Sequence, residues 1–174
     1  MTSSSSNKID TRDRLIDSAV GLLHSNGYQS VGVRALCELA DVRKGSFYHF
    51  FSSKEDLTLA ALDQTWDLFR TDVVEPALAE ANGAADRIRA IRHACLGPLD
   101  ESPSEVDQPH GCMFGRLAAS ITDAEPLLKA RLAEIFTEWA TLLGEGDEGW
   151  AALADILGSL VLAFTVGASE VVEA

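Results

Sequence analysis

The sequence predicts an all-α protein, with a small N-terminal unit of three helices followed by a larger helical bundle. Three observations predict this. Apolar residues recur at intervals of three and four along nearly the whole chain, which is the period of an amphipathic helix. No segment alternates with the period of two that marks a half-buried strand. The interruptions fall at Asn-Gly, Gly and Pro clusters of the kind that stop helices.

The elements follow in order. Leu15, Ala19, Leu22 and Leu23 define a first helix from about Thr11 to His24, capped by Asp10 or Thr11 and stopped at Asn26-Gly27. A second runs from about Val33 to Ala40, with Val33, Leu36, Cys37 and Ala40 on one face. Asp41-Val42 makes a tight turn, and Arg43 to Phe50 is a third helix of two turns. Ser52-x-x-Glu55 reads as a capping box opening a long fourth helix, Ser53 to about Leu78. Its buried stripes should carry Leu57, Ala61 and Leu68, and beside them Leu62, Trp66, Phe69 and Val73. A fifth helix spans about Ala84 to Leu96. Gly97 to Pro109, with three of the five prolines, reads as a loop, and Gly111 to Ile121 as a short sixth helix. Asp123 should cap a seventh, whose stripe is Leu128, Leu132, Ile135, Trp139 and Leu142. After a turn at Gly144 to Gly149, the last helix, about Trp150 to Val172, is apolar on nearly every side. A helix apolar all round must be covered all round, and a partner subunit is the expected cover.

Charge divides the chain in the same way. The 174 residues hold 14 Lys plus Arg against 27 Asp plus Glu, a net −13 that on its face argues against a nucleic-acid partner. Residues 1–56 hold seven of those basic residues and seven acidic ones; the remaining seven basic and twenty acidic residues all follow position 56. The excess negative charge therefore belongs to the second part alone. The expected division is a polar tail over 1–9, a charge-balanced unit over 10–56 and an acidic unit over 57–174.

Three scattered cysteines, Cys37, Cys95 and Cys112, do not make a disulfide framework and fit a reducing compartment. The Ser-rich start has no apolar stretch of secretory type, and the longest apolar run, Ala151 to Ala168, falls short of the roughly 20 residues a bilayer span requires. A cytoplasmic protein without a membrane partner or cofactor is expected.

Helices two and three, joined by a short turn, have the form of a helix-turn-helix, whose second helix enters the major groove of DNA. The positions expected to be exposed on that second helix are Arg43, Lys44, Ser46, Tyr48 and His49, all hydrogen-bond donors to phosphate or base edges, while Phe47, Phe50 and Phe51 should pack inward. Gly45 permits close backbone approach.

The run from Gly27-Tyr28 through Val33-Arg34, Leu39-Ala40-Asp41-Val42-Arg43-Lys44-Gly45-Ser46-Phe47-Tyr48-His49-Phe50-Phe51 and Ser53-Lys54-Glu55-Asp56-Leu57 closely resembles the DNA-binding domain of TetR-family transcriptional regulators. The resemblance implies a homodimeric all-α repressor that binds a palindromic double-stranded operator and is released by a small molecule. It implies that Lys44, Tyr48 and His49 touch operator phosphates or bases, that Gly45 and Ser46 face the groove, and that Arg34 and Lys54 meet phosphates. Three residues depart from the family pattern: Gly32 and Arg43 stand at the caps of helices two and three, and Asp41 replaces the usual turn glycine. Members commonly have two helices after the seventh, where one precedes Ala174 here, so either a shortened dimer interface or a compacted variant is expected.

His110-Gly111-Cys112-Met113-Phe114-Gly115-Arg116-Leu117-Ala118 resembles the Gly-Cys-x-x-Gly-Asn-Leu-Ala segment of a subgroup in which some members respond to electrophiles or oxidants. A thiol at a helix N-terminus has its thiolate stabilised by the helix dipole, so Cys112 is either a reactive group or a small packing residue beside the pocket. A pocket for a small, mostly apolar effector is expected among Trp66, Phe69, His93, Cys95, Cys112, Met113, Phe114, Phe136, Trp139 and Phe164. The competing reading is a metal- or thiol-dependent enzyme or metal-binding protein built on His110 and Cys112.

Overall fold

The computed structural model describes residues 10–79, 81–96 and 112–166, without the side chains of Leu96 and of residues 164–166. The expected loop over 97–109, His110 and the end of the last helix fall outside these, as does the side chain of Phe164.

Every regular element among the described residues is helical: α1 (Thr11–Asn26), α2 (Val33–Leu39), α3 (Lys44–Phe50), α4 (Lys54–Phe69), a π-turn (Arg70–Val74), α5 (Glu75–Ala79), α6 (Ala84–Leu96), α7 (Met113–Ser120), α8 (Pro126–Leu143) and α9 (Gly146–Val166). The order is the expected one, with α4, the π-turn and α5 together forming the long fourth helix.

One core runs through both parts. In the head, Leu15, Leu23, Leu36, Phe47, Phe51 and Leu57 are fully or nearly fully buried between α1, α2, α3 and the start of α4. In the body, Leu62, Trp66, Ile91, Leu117, Leu132, Ile135, Trp139, Leu143 and Ile156 do the same. Most buried stripes are those predicted, but Leu68 faces solvent, because the core face of α4 follows Leu57, Ala61, Leu62 and Trp66.

Local signals misplaced two caps. The long helix is capped by Ser53, whose Oγ accepts the Asp56 N–H at 3.0 Å, while the Asp56 carboxylate accepts the Ser52 N–H at 2.8 Å. The cap thus sits one residue beyond Ser52, with Asp56 in place of Glu55, and the return bond from Asp56 reaches Ser52 rather than the capping Ser53. Asp123 does not cap α8: Glu125 holds that position, with Pro126 in the first turn, and Asp123 instead pairs with Lys129 at 2.7 Å.

α9 starts at Gly146, inside the expected turn, because α8 and α9 form a tight hairpin around two glycines. Gly149 is buried so closely that a side chain there would run into the carbonyls of Ala140 and Gly144. α9 buries Ala152, Leu153, Ile156, Leu160 and Ala163, yet Val161 and Leu162 remain 63% and 55% exposed in the single chain. No helix among the described residues is long and apolar enough to cross a membrane.

Candidate nucleic-acid interface and the body behind it

The turn between α2 and α3 is held by backbone geometry. The Val42 N–H donates to the Cys37 carbonyl at 2.9 Å and the Asp41 N–H to the Glu38 carbonyl at 3.2 Å, the paired bonds that close a helix C-terminus on a left-handed residue. Asp41 is that residue, at φ 52°, and aspartate tolerates this conformation better than most side chains. Arg14 reaches across from α1 and donates to the Ala40 carbonyl at 3.0 Å. This clamp had no signature in the sequence, since Arg14 lies on a helix surface where any solvated cation would look the same.

On that turn α3 stands with its apolar side inward. Phe47 is completely buried and Phe51 nearly so, their rings 6.2 Å apart. Phe50 is half-buried, edge-on to His49. The opposite side presents Arg43, Lys44, Gly45, Tyr48 and His49 to solvent, with Ser46 half-buried at the margin. The Lys44 ammonium lies 5.9 Å from the Tyr48 ring centre, and Tyr48 is 52% exposed. The result is a donor-bearing edge whose centre, Gly45, carries no side chain; a Cβ added there would meet no protein atom.

Two expected phosphate contacts are otherwise engaged. Arg34 is exposed but its Nε pairs with Glu38 one turn on, at 2.7 Å. Lys54 is turned into the protein. Its ammonium donates to the carbonyls of Tyr28 and Val31, both at 3.0 Å, and rests 3.7 Å from the Tyr28 ring centre. Burial holds the Lys54 ammonium below the ordinary lysine range, against the pull of Glu125 in the other direction. Lys54 is therefore a clamp on the α1–α2 turn rather than an open phosphate donor.

That turn also meets the body. The Tyr28 N–H donates to Ser120 Oγ at 2.9 Å, and Gln29 Nε2 donates to Glu125 Oε1 at 3.2 Å. Burial, with Glu125 and Glu55 nearby, pushes the Tyr28 phenol up to about 12.

A family profile describing bacterial regulatory proteins of the tetR family matches residues 15–61, from α1 through the turn and α3 into α4. Residues 15–61 thus carry a tetR-family domain. The HTH-type transcriptional repressor NemR of Escherichia coli K12 is 29% identical over 114 residues, covering 66% of this chain and 55% of NemR. The HTH-type transcriptional repressor KstR of Rhodococcus jostii RHA1 is 28% identical over 138 residues, covering 71% of this chain and 65% of KstR. The chain thus aligns with between half and two thirds of the length of these relatives. The crystal structure of reduced Escherichia coli NemR superposes with a TM-score of 0.77 at 23% identity, covering 94% of this chain and 93% of that one, which shows a common fold.

In the body behind this domain the expected effector residues do not form one pocket. Trp66, Phe69, Phe114 and Trp139 come together as a packed cluster, with ring centres 4.8 to 6.3 Å apart. Met113 borders it and accepts from Thr65 Oγ1 at 3.6 Å. Trp66 Nε1 donates to Glu138 at 2.7 Å, whereas Trp139 Nε1 is buried without an acceptor. His93 lies apart, on a groove of about 760 Å³ between the π-turn, α5 and α6. Phe136 lines another, of about 540 Å³, at the α7–α8 corner. These rings serve first as core, because α4, α7 and α8 meet where they converge.

Cys112 stands at the N-cap of α7, as the sequence implied. The N–H groups of Phe114 and Gly115 favour its thiolate, but burial outweighs them and pushes the thiol up. Burial also pushes Cys95 up, to about 12, with Cys112 close enough to add to the effect. The expected activation of Cys112 is thus reversed, because the helix end is covered. No group of three or more His, Cys, Asp or Glu residues among the described residues could hold a metal ion.

Proposed function

We propose that the protein is a DNA-binding transcriptional regulator, and specifically a repressor that binds a palindromic operator as a homodimer and leaves it when a small molecule binds the body. The observation that carries the reading is α3: two turns anchored by Phe47, exposing Arg43, Lys44, Gly45, Tyr48 and His49, with Ser46 half-buried at their margin, beside a hydrogen-bonded turn. A short helix with that edge has the shape and donor set to enter a major groove. The DNA-reading unit is residues 10–56, and residues 57–174 form the regulatory unit.

Dimerisation is supported by α9, whose Leu162 is 55% exposed in the single chain. Two heads related by a two-fold axis would read two half-sites one helical turn apart. The acidic body stays clear of phosphate while the charge-balanced head meets it. This activity belongs in the cytoplasm, where operator DNA is found.

For the effector, the aromatic cluster favours a mostly apolar molecule that separates Phe69, Phe114 and Trp139, whereas the upward shift of Cys112 disfavours a rapid thiol trigger. Selection of bound sequences from a random DNA pool tests the function. An approximate palindrome should emerge, and Lys44→Ala and Tyr48→Ala should each weaken its binding while leaving the fold intact. Recovery of no preferred sequence, or variants that bind as wild type does, would overturn the reading.

A further inference from the structure

Resting on that reading, we propose that Ser120 and Glu125, at the α7–α8 corner, are positioning residues that fix the angle of the DNA-reading head on the body, and so the separation of the two heads in a dimer.

The head is joined to the body in two ways. One is α4, which begins inside the head at Lys54 and continues into the body as a single rod. A lone rod fixes a point of attachment and leaves rotation about it open. The second attachment, at the α1–α2 turn, removes that freedom. Ser120 Oγ accepts the Tyr28 N–H at 2.9 Å and donates back to the Leu117 carbonyl at 3.2 Å, so the hydroxyl is oriented by its own helix. Glu125 is held the same way. Its Oε2 accepts both the N–H and the hydroxyl of Thr122, at 2.8 and 2.9 Å, which leaves Oε1 for Gln29.

Steric contact sets the distance. Gly27, at φ 72° and ψ 171°, lies so close to Ser120 that a Cβ there would sit 3.1 Å from the serine Cβ. Lys54 then ties the far side of the turn, through the Tyr28 and Val31 carbonyls, to the first turn of α4. The two attachments are braced against each other, and α2 leaves the braced turn directly.

Little of this is needed to fold the head, whose core of Leu15, Leu23, Leu36, Phe47 and Leu57 lies elsewhere. The bonds across the corner are neutral or exposed ones, each weak enough to be exchanged without unfolding. Thr122, which holds Glu125, also lines the groove of about 540 Å³ shared with Lys129, Leu132 and Phe136, so a change at that groove reaches the head through one side chain.

The test compares wild type, Ser120→Ala and Glu125→Ala on the operator selected from a random pool, at its natural half-site spacing and with one base pair inserted or removed. One base pair turns the second half-site by about a tenth of a helical turn, and wild type should lose about tenfold in affinity. Both variants should lose less than about threefold while binding a single half-site as wild type does. Unchanged spacing preference would overturn the proposal, as would an equal loss on single half-sites, which signals a disturbed head. Should wild type select no sequence, the DNA-binding reading fails separately. The coupling is then read from amide exchange: Ser120→Ala should speed exchange at Tyr28 about tenfold and leave Leu36 unchanged. Unaltered exchange at Tyr28 would overturn it.

Discussion

Lys54 is where a family resemblance and the folded geometry disagree, and a substitution separates them. Methionine at position 54 keeps most of the aliphatic stem over the Tyr28 ring and removes the ammonium. The loss includes two bonds at 3.0 Å to the Tyr28 and Val31 carbonyls and a cation resting 3.7 Å from an aromatic centre. Bonds of this charge-assisted kind are worth about 1.5–3 kcal/mol each, and a cation over a ring about 0.5–2. Against this stands the burial that disfavours the charged amine. A net destabilisation of about 2 kcal/mol is expected, which for a domain of this length lowers Tm by about 4–8 °C. The second measurement is the slope of log affinity for operator against log salt. Each phosphate neutralised contributes about 0.9 to that slope, so a clamp that touches no phosphate leaves it unchanged. Lys44→Met should do the reverse, lowering the slope by about 0.9 and leaving stability within about 0.5 kcal/mol. Thermal unfolding by circular dichroism and a salt titration of operator binding suffice. If Lys54→Met unfolds at the wild-type temperature and loses about 0.9 in slope, the clamp assignment is wrong.

Gly149→Ala should destabilise by about 2–3 kcal/mol in urea, since the new methyl meets two backbone carbonyls that cannot turn away; a loss under about 0.5 kcal/mol would mean the α8–α9 hairpin opens freely. Asp41→Gly should stabilise by about 1 kcal/mol, because φ 52° is a glycine conformation, and a loss of stability would show that the aspartate contributes something beyond backbone shape. Thiol alkylation should follow burial. The thiolate is the reacting form, and a raised pKa shrinks its fraction at pH 7, so Cys112 and Cys95 should react with iodoacetamide more slowly than a free thiol. The Cys95 rate should still be climbing at about pH 10, where a thiol of ordinary pKa near 8.5 has levelled off. Cys112 modified faster than a free thiol at pH 7, by peptide mass spectrometry, would refute this.

The head was largely legible in the sequence because its information is local. The spacing of Leu36, Phe47 and Phe51 and the Asp41 turn lie within sixteen residues, and periodicity reports such patterns directly. What sequence reading misplaced depends on contacts far apart in the chain or on ties between equal neighbours. Ser52 and Ser53 are the same residue followed by the same pair of acids, and only the backbone path chooses Ser53 with Asp56. Lys54 looks like any basic residue at a helix start until the turn 23 to 26 residues earlier folds beneath it. Tyr28 and Ser120 are 92 positions apart, and no local pattern announces that they meet. Burial pushes the Cys112 thiol up for the same reason, since helix position is written locally and burial is not.

The π-turn at Arg70–Val74 has a consequence for how this chain can change by descent. Such a turn is an ordinary helix holding one surplus residue, here closed by the Glu75 N–H on the Arg70 carbonyl. The surplus rotates everything beyond it by about 100° about the rod axis. Trp66 and Phe69 therefore face the aromatic rings of α7 and α8, while the π-turn and α5 further along pack on α6, with Val74, Ala77 and Leu78 in the core. One rod thus serves two sides of the core that an uninterrupted helix would leave out of phase. Single-nucleotide substitutions cannot remove that offset; the loss of one whole codon from this stretch can. Length polymorphism is therefore barred from this helix more strictly than residue exchange.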